Sequence, residues 1–274
     1  MGKVWLITGA SRGLGKALVE YALSQGDLVV ATARDKDTLA FTGKAGADKV
    51  LVQTLDVTDY NQALDVVKAA HLTFGRIDIL VNNAGYADTA SVEDTSIEDF
   101  RKQVDTNLMG VVNVTKAVLP IMRQQGSGYI VQISSVGARL GSPGLAAYQC
   151  AKWAVSGFSM ALHQEVQPLG IKVTALEPGG IRTDWAGSSM KIPPPSEPYQ
   201  QTVGAFAKFI REHHGGEKSQ PEKFGPIIDR LYESPDPPVR MPVGPDAVGM
   251  APQLLDAQKK SDEQWAELGK TSAG

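Results

Sequence analysis

Cysteine is almost missing. The chain has one, Cys150, in 274 residues, so no disulfide can form within it. That fits a reducing compartment, and a cytoplasmic location is the expectation. Charge does not accumulate either. Lys and Arg number 27 against 30 Asp and Glu, a formal net charge of −3. Such a balance gives no reason to expect nucleic acid or an anionic membrane as partner. No apolar run approaches the roughly 20 residues that span a bilayer. The opening "MGKVWLITG" reads as a short strand entering a turn, not as a charged-then-apolar leader. Leu6 stands where a myristoylation signal starting at Gly2 carries Ser or Thr. "NVT" at Asn113 matches a glycosylation acceptor, but it lies in an expected helix and is read as coincidence. His71, His163, His213 and His214 show no ligand spacing with carboxylates or Cys150, so no metal site is expected. No internal repeat is visible.

What is present is alternation. "KVWLIT", "LVVATA", "KVLVQTL", "IDILVN", "GYIVQIS" and "IKVTALE" are short and rich in Val, Ile and Leu. They lack clean polar alternation, as strands buried on both faces do. Helical patterns such as "LGKALVEYALSQG" and "YNQALDVVKAAHLTFG" lie between them and close in glycine. Strand–helix alternation predicts an α/β fold: a doubly wound, Rossmann-type parallel sheet in a single domain over residues 1–274. After "EPGGIRTD" the character changes. Residues 186–245 carry "IPPPSEP" and "ESPDPPVRMPVGP" around a helical stretch "YQQTVGAFAKFIREHH". This segment reads as an insertion over the sheet's C-terminal edge, on the substrate side. A helix over residues 246–270 ends the chain.

"ITGASRGLG" lies between a predicted strand and a predicted helix, with Gly9, Gly13 and Gly15 spaced G-x-x-x-G-x-G. Gly9 permits a tight exit from the strand, Gly13 leaves room for a pyrophosphate, and Gly15 permits close helix–sheet packing. The helix N-terminus adds N–H groups and a positive dipole end. A plain turn is the bland alternative.

Further along, "NNAG" ends a strand at residues 82–85, and "YQCAK" sets Tyr148 and Lys152 four apart on one helix face. Ser135 precedes Tyr148 by thirteen residues, Asn107 lies in "DTNLMG", and "EPGGIRTD" follows the next strand. As an ordered set over residues 3 to about 185, these motifs resemble a short-chain dehydrogenase/reductase of the classical type. The resemblance fades through the insertion and the last helix. The glycine-rich final strand of tetrameric members is missing, which leaves a homodimer open.

The resemblance implies an NADP(H)-dependent oxidoreductase acting on a small-molecule carbonyl or alcohol, with Asn107, Ser135, Tyr148 and Lys152 catalytic. Tyr148 would exchange a proton with the substrate oxygen as hydride moves. Lys152, together with a positive nicotinamide, would lower the tyrosine's pKa and would bond the nicotinamide ribose. Ser135 would polarise the carbonyl; its neighbour Ser134 is the rival, disfavoured by the thirteen-residue interval. Asn107 would hold a relay water. Cofactor contacts fall on Gly9, Ser11, Arg12, Gly13, Leu14 and Gly15 of the turn, and on Asp56 and Val57 beside the adenine. Asn82, Asn83, Ala84 and Gly85 would run along the adenosine ribose. Pro178, Gly179 and Ile181 would also contact the cofactor, as would Tyr148 and Lys152, and Thr183 would meet the nicotinamide carboxamide. For Asp56 the alternative is a cap on the following helix. Cys150, two residues from both Tyr148 and Lys152, faces elsewhere and is read as packing.

The second strand ends at Ala33 without the carboxylate that an NAD site places against the ribose hydroxyl, and Arg34 follows. Arg34 and Arg12 suit a 2′-phosphate, because a planar guanidinium bonds it bidentately, so NADPH is the expected cofactor. Trp185, Met190, Tyr199, Phe206 and Phe209 suggest an apolar, fairly bulky substrate, such as a polyketide, steroid-like or aromatic ketone. A dinucleotide-binding sensor on the same fold is the rival reading, opposed by the intact Ser–Tyr–Lys set. An epimerase or dehydratase of the extended branch would carry G-x-x-G-x-x-G, which residues 9–15 do not.

Overall fold

A strand whose side chains are apolar throughout must be covered on both faces. In β1 (Val4–Ile7) all four residues are fully buried. Trp5 and Ile7 enter one core with Leu14 and Leu18, while Leu6 enters the other with Val66 and Val118. The computed structural model describes residues 2–39, 41, 47–187 and 189–272. The remaining strands are β2 (Leu28–Ala33), β3 (Val50–Thr54), β4 (Ile79–Asn82), β5 (Gly128–Ile133), β6 (Ile171–Pro178) and β7 (Arg240–Val243). They form one parallel sheet in the order β3-β2-β1-β4-β5-β6-β7.

The helices are α1 (Gly13–Ser24), α2 (Tyr60–Phe74), α3 (Ile97–Val104), α4 (Gly110–Gln125), α5 (Ala146–Val166), α6 (Ala205–His213), α7 (Phe224–Glu233) and α8 (Pro245–Lys270). Helices α1 and α7 cover one face of the sheet; α2, α4 and α5 cover the other. Local chemistry sets the ends. Asp59 accepts from the N–H groups of Asn61 and Gln62 to start α2, and Gly75 closes it at φ 76°. Strands β2 and β3 are added on one side of β1 and β4 to β7 on the other, and this switch between β1 and β4 opens a crevice at their C-terminal ends. The glycine turn leaves β1 there, and "NNAG" leaves β4. Among the described residues no helix is long and apolar enough to cross a membrane.

Residues 186–245 are not one insertion. Their first part folds over the C-terminal ends of the strands; their last part belongs to the framework. Phe224 and Ile228 of α7 are buried in the α1-side core. Gly225 lets Tyr21 pack flush, since a Cβ there would lie 2.2 Å from the ring. Arg240–Val243 then pairs with β6 as a seventh strand. Pro242 is tolerated because β7 is an edge, where one N–H can be spared. Four residues among prolines carry no strand period, so the sequence pattern hides them.

Candidate active site

The glycine turn is held from β4. Asn83 Nδ2 donates to the carbonyls of Thr8 (2.9 Å) and Gly9 (3.1 Å). Thr8 Oγ1 in return accepts from the N–H groups of Asn83 and Ala84, each at 3.0 Å. Gly9 and Gly13 take φ of +66° and +53°, the region that favours glycine. A Cβ on Gly15 would sit 2.2 Å from the Gly9 carbonyl oxygen, so only glycine lets α1 approach the turn. Arg12 begins α1 without a side-chain cap, and the first turn contains no acid. Its leading N–H groups therefore face the crevice without a protein side-chain partner, an arrangement made for an anion. Arg12 and Arg34 are exposed beside it, and among the described residues neither side chain forms a hydrogen bond or an ion pair. Asp35 turns away, capping its own short turn by accepting from Asp37 N–H at 3.0 Å. These features fit a phosphate-bearing dinucleotide.

Several expected contacts are redistributed. Asn82 is buried and donates to Thr115 Oγ1 (2.9 Å) and Gln132 Oε1 (2.8 Å) behind the sheet, so it does not line the crevice. Strand alternation is the reason: Asn82 and Asn83 point to opposite faces. Leu14 and Val57 send their side chains into the two cores, leaving only backbone for a ligand. Asp56 accepts from Thr58 N–H and Oγ1, and the α2 cap is Asp59 instead. Ser11 borders the turn, half-buried. Pro178 ends β6; Gly179 is small because Asp246 of α8 packs on it, the same carboxylate accepting from Gly180 N–H at 2.8 Å. Ile181 bridges to Ser219. Thr183 faces the glycine turn, its Cγ2 3.4 Å from where a Cβ on Gly13 would stand.

Ser135, Tyr148, Lys152 and Asn107 converge next to that turn. Asn107 is fully buried in a π-helical turn, Asp105–Met109, of the kind that often marks function. Its Nδ2 donates to the carbonyls of Tyr86 and Gln103, and its Oδ1 accepts from Tyr86 N–H. A Cβ on Gly85 would lie 2.6 Å from Asn107 Oδ1 and 3.6 Å from Lys152 Nζ, so glycine clears the space between them. Lys152 Nζ donates to the Ile133 carbonyl at 2.7 Å and lies 5.6 Å from the centre of the Tyr148 ring. Ser135 Oγ accepts from Gly137 N–H at 3.0 Å, which leaves its proton to give. Ser134 points away, its hydroxyl donating to the Lys152 carbonyl (3.2 Å) and meeting Ser156 (3.1 Å).

The protein alone does not lower the tyrosine. Burial pushes the Tyr148 phenol up to about 12, and the Ser135 hydroxyl beside it pulls the other way. Burial likewise brings Lys152 down to about 8. Neither charge is solvated here, and the ammonium is aimed at the Ile133 carbonyl.

Trp185 lies over Tyr148, ring centres 5.3 Å apart. With Met190, Ile192, Phe206 and Ile210 it builds an apolar cluster on Tyr148, Leu145 and Ala87. Tyr199 and Phe209 are outside it. Tyr199 donates to Glu93 on the surface, and Phe209 is half exposed against His213. Arg211 of α6 fastens this cover, donating to the carbonyls of Ala186 (2.6 Å), Gly187 (2.5 Å) and Met190 (2.9 Å). Cys150 is exposed, not packed. Sequence reasoning passed over Arg211, which carries no local signal. It also passed over Glu177, whose signal was there: the one carboxylate in a strand, "IKVTALEP", that is otherwise largely apolar.

Comparisons with known proteins bear on the fold and the family. The family model described as short chain dehydrogenase matches residues 3–192. Oxidoreductase BOA17 of Botryotinia fuckeliana is 57% identical over 274 residues, spanning 100% of both chains. The crystal structure of a short-chain dehydrogenase from Streptomyces avermitilis superposes with a TM-score of 0.91 at 34% identity, covering 100% of each chain. A 3-ketoacyl-(acyl-carrier-protein) reductase from Brucella melitensis, complexed with NADH, gives a TM-score of 0.72 at 29% identity, covering 88% of this chain and 96% of that one.

Proposed function

Since the chain belongs to the short-chain dehydrogenase family, and is thereby an oxidoreductase acting on CH–OH and C=O groups, we propose that it is an NADPH-dependent carbonyl reductase with Tyr148 as its acid. One observation carries the reading: Ser135, Tyr148 and Lys152 meet beside an uncapped helix N-terminus at the sheet's switch point. When bound, the nicotinamide cofactor supplies the hydride. The rest is done by side chains. Ser135, its oxygen held by Gly137 N–H, directs its proton toward the substrate oxygen. Tyr148 donates its phenolic proton to that oxygen, and takes it back in the reverse direction. Lys152 keeps a positive charge near the phenol and donates from a fixed position. Arg12 and Arg34 favour a 2′-phosphate, and no carboxylate stands at the end of β2 to favour its absence.

Trp185, Met190 and Phe206 make the wall over Tyr148 apolar, which favours a bulky ketone over a small polar one. The buried site also excludes water from the proton transfer. Tyr148→Phe tests the assignment, with a ketone panel followed by NADPH absorbance. The variant should bind NADPH as the wild type does and lose turnover by about 10²–10⁴-fold. Retention of more than about a tenth of kcat would remove Tyr148 from its role.

A further inference from the structure

Behind the catalytic turn lies an ionic cluster that neither binds the dinucleotide turn nor touches the apolar cover. Glu177 of β6 is fully buried. Its Oε2 accepts from Arg139 Nε, and its Oε1 accepts from Arg240 Nε at 2.6 Å and from Ser156 Oγ at 3.1 Å. Arg139 and Arg240 are themselves mostly covered, with side chains 21% and 27% exposed. Three charges taken from water at one point are a poor way to gain stability, because desolvation offsets most of the attraction. The connections the carboxylate makes are more telling.

Each partner belongs to, or bonds, a segment that places a reacting group. Arg139 ends the short turn Val136–Ala138 that begins at Ser135. Arg240 also donates to the Ala138 carbonyl at 3.2 Å, so the turn is gripped at two points. That turn supplies the Gly137 N–H which orients the Ser135 hydroxyl. Ser156 lies one helical turn beyond Lys152 on α5, the helix that also carries Tyr148, and its hydroxyl meets Ser134 at 3.1 Å. Ser134 in turn bonds the Lys152 carbonyl, while its N–H donates to Leu176, the residue before Glu177. One carboxylate thus joins β6, β7, the turn of Ser135 and the helix of Tyr148 and Lys152.

We propose that Glu177 is a positioning residue for the reaction: clamped by Arg139 and Arg240, it fixes the Ser135 turn against helix α5 and so sets Ser135 on Tyr148. The proposal rests on the reading of Tyr148 as the proton donor. Arg240 makes β7, and with it the returning end of residues 221–243, part of this frame.

The test uses the full-length protein saturated with NADP+, labelled with 13C at the tyrosine ring carbon bearing oxygen. The Tyr148 signal is identified by its disappearance in Tyr148→Phe and is followed through a pH titration. In Glu177→Gln, an isostere that keeps the volume and loses the charge, the Tyr148 titration should move up by half a unit or more, because Ser135 no longer holds the phenolate. kcat for phenanthrenequinone reduction should fall at least tenfold, while the NADPH dissociation constant stays within threefold. Should Glu177→Gln not fold, Arg240→Met decides, since Arg139 still pairs with the carboxylate. It should shift the titration and kcat in the same direction by a smaller factor. A lowered melting temperature with an unmoved or lowered Tyr148 titration would reduce the cluster to a structural one and overturn the proposal. A Tyr148→Phe variant that still turns over would instead overturn the reading of the site, whatever Glu177 does.

Discussion

Replacing Gly15 by Ala adds a single methyl group, and the surroundings dictate what that methyl does. It would stand 2.2 Å from the Gly9 carbonyl oxygen and 2.6 Å from Asn83 Nδ2, against ordinary contact at 3.4 Å and beyond. The turn cannot simply retreat, because Gly9 itself backs onto Ala84 Cα, 2.9 Å from where its own Cβ would be. Either α1 lifts off the sheet or the turn moves and breaks the Asn83 bonds to Thr8 and Gly9. Overpacking of this kind costs about 1–3 kcal/mol. Two lost hydrogen bonds add about 0.5–1.5 kcal/mol each. A destabilisation near 4 kcal/mol is therefore expected, as a rough central value. NADPH affinity should fall at least about tenfold, since the N–H groups that face the phosphates move with the turn. Gly249, in the exposed first turns of α8, has nothing within 4 Å of its Cβ position. The same change there should stabilise by roughly 0.5–1 kcal/mol through helix propensity. Urea denaturation and fluorescence titration with NADPH read both variants. A Gly15→Ala protein within about 0.5 kcal/mol of wild type that binds NADPH within threefold would refute the packing argument.

Arg34→Asp should erase or invert a preference for NADPH over NADH of about tenfold or more, worth about 1.4 kcal/mol, by removing a phosphate partner and adding repulsion; an unchanged ratio of kcat/KM values for the two cofactors would rule out the arginine's role. Arg211→Ala should loosen the cover over Tyr148 and raise KM for a bulky aryl ketone at least fivefold, with NADPH affinity kept; steady-state kinetics that show equal losses for ketone and cofactor would contradict a cover on the substrate side alone. Lys152→Met should abolish turnover yet stabilise the protein at pH 7. Burial lowers the folded pKa of Lys152 from 10.5 to about 8, so the folded state carries the full cost of the charge below pH 8, roughly 3 kcal/mol. Between pH 8 and 10.5 the unfolded chain holds a proton the folded one lacks, so the wild type gains stability with rising pH and the gap to Lys152→Met closes. Denaturant midpoints at pH 7 and 10 check this, and a gap that widens would reverse the sign of the argument.

Much of the molecule is local and therefore legible in the chain. Runs such as "LVVATA" announce strands buried on both faces, and β2 spans those six residues without change. Gly9, Gly13 and Gly15 announce a turn only glycine can make, and Tyr148 and Lys152 share a helix face by period alone. The absence of an acid at the end of β2 is likewise a property of sequence. Tertiary structure decided what depends on distant partners. Asn82 and Asn83 look alike in sequence, but the sheet gives Asn83 the glycine turn and Asn82 the buried side with Thr115 and Gln132. Arg240 lies 63 residues from Glu177, and only the pairing of β7 with β6 brings them together. The upward shift of Tyr148 has the same origin, since desolvation belongs to the shell around a group and not to the group itself. Hydrophobic period and backbone sterics act over a few residues and can be read along the chain. Burial, charge pairing and the cover that Arg211 fastens across Tyr148 arise from contacts between segments far apart in sequence, and those exist only once the chain has folded.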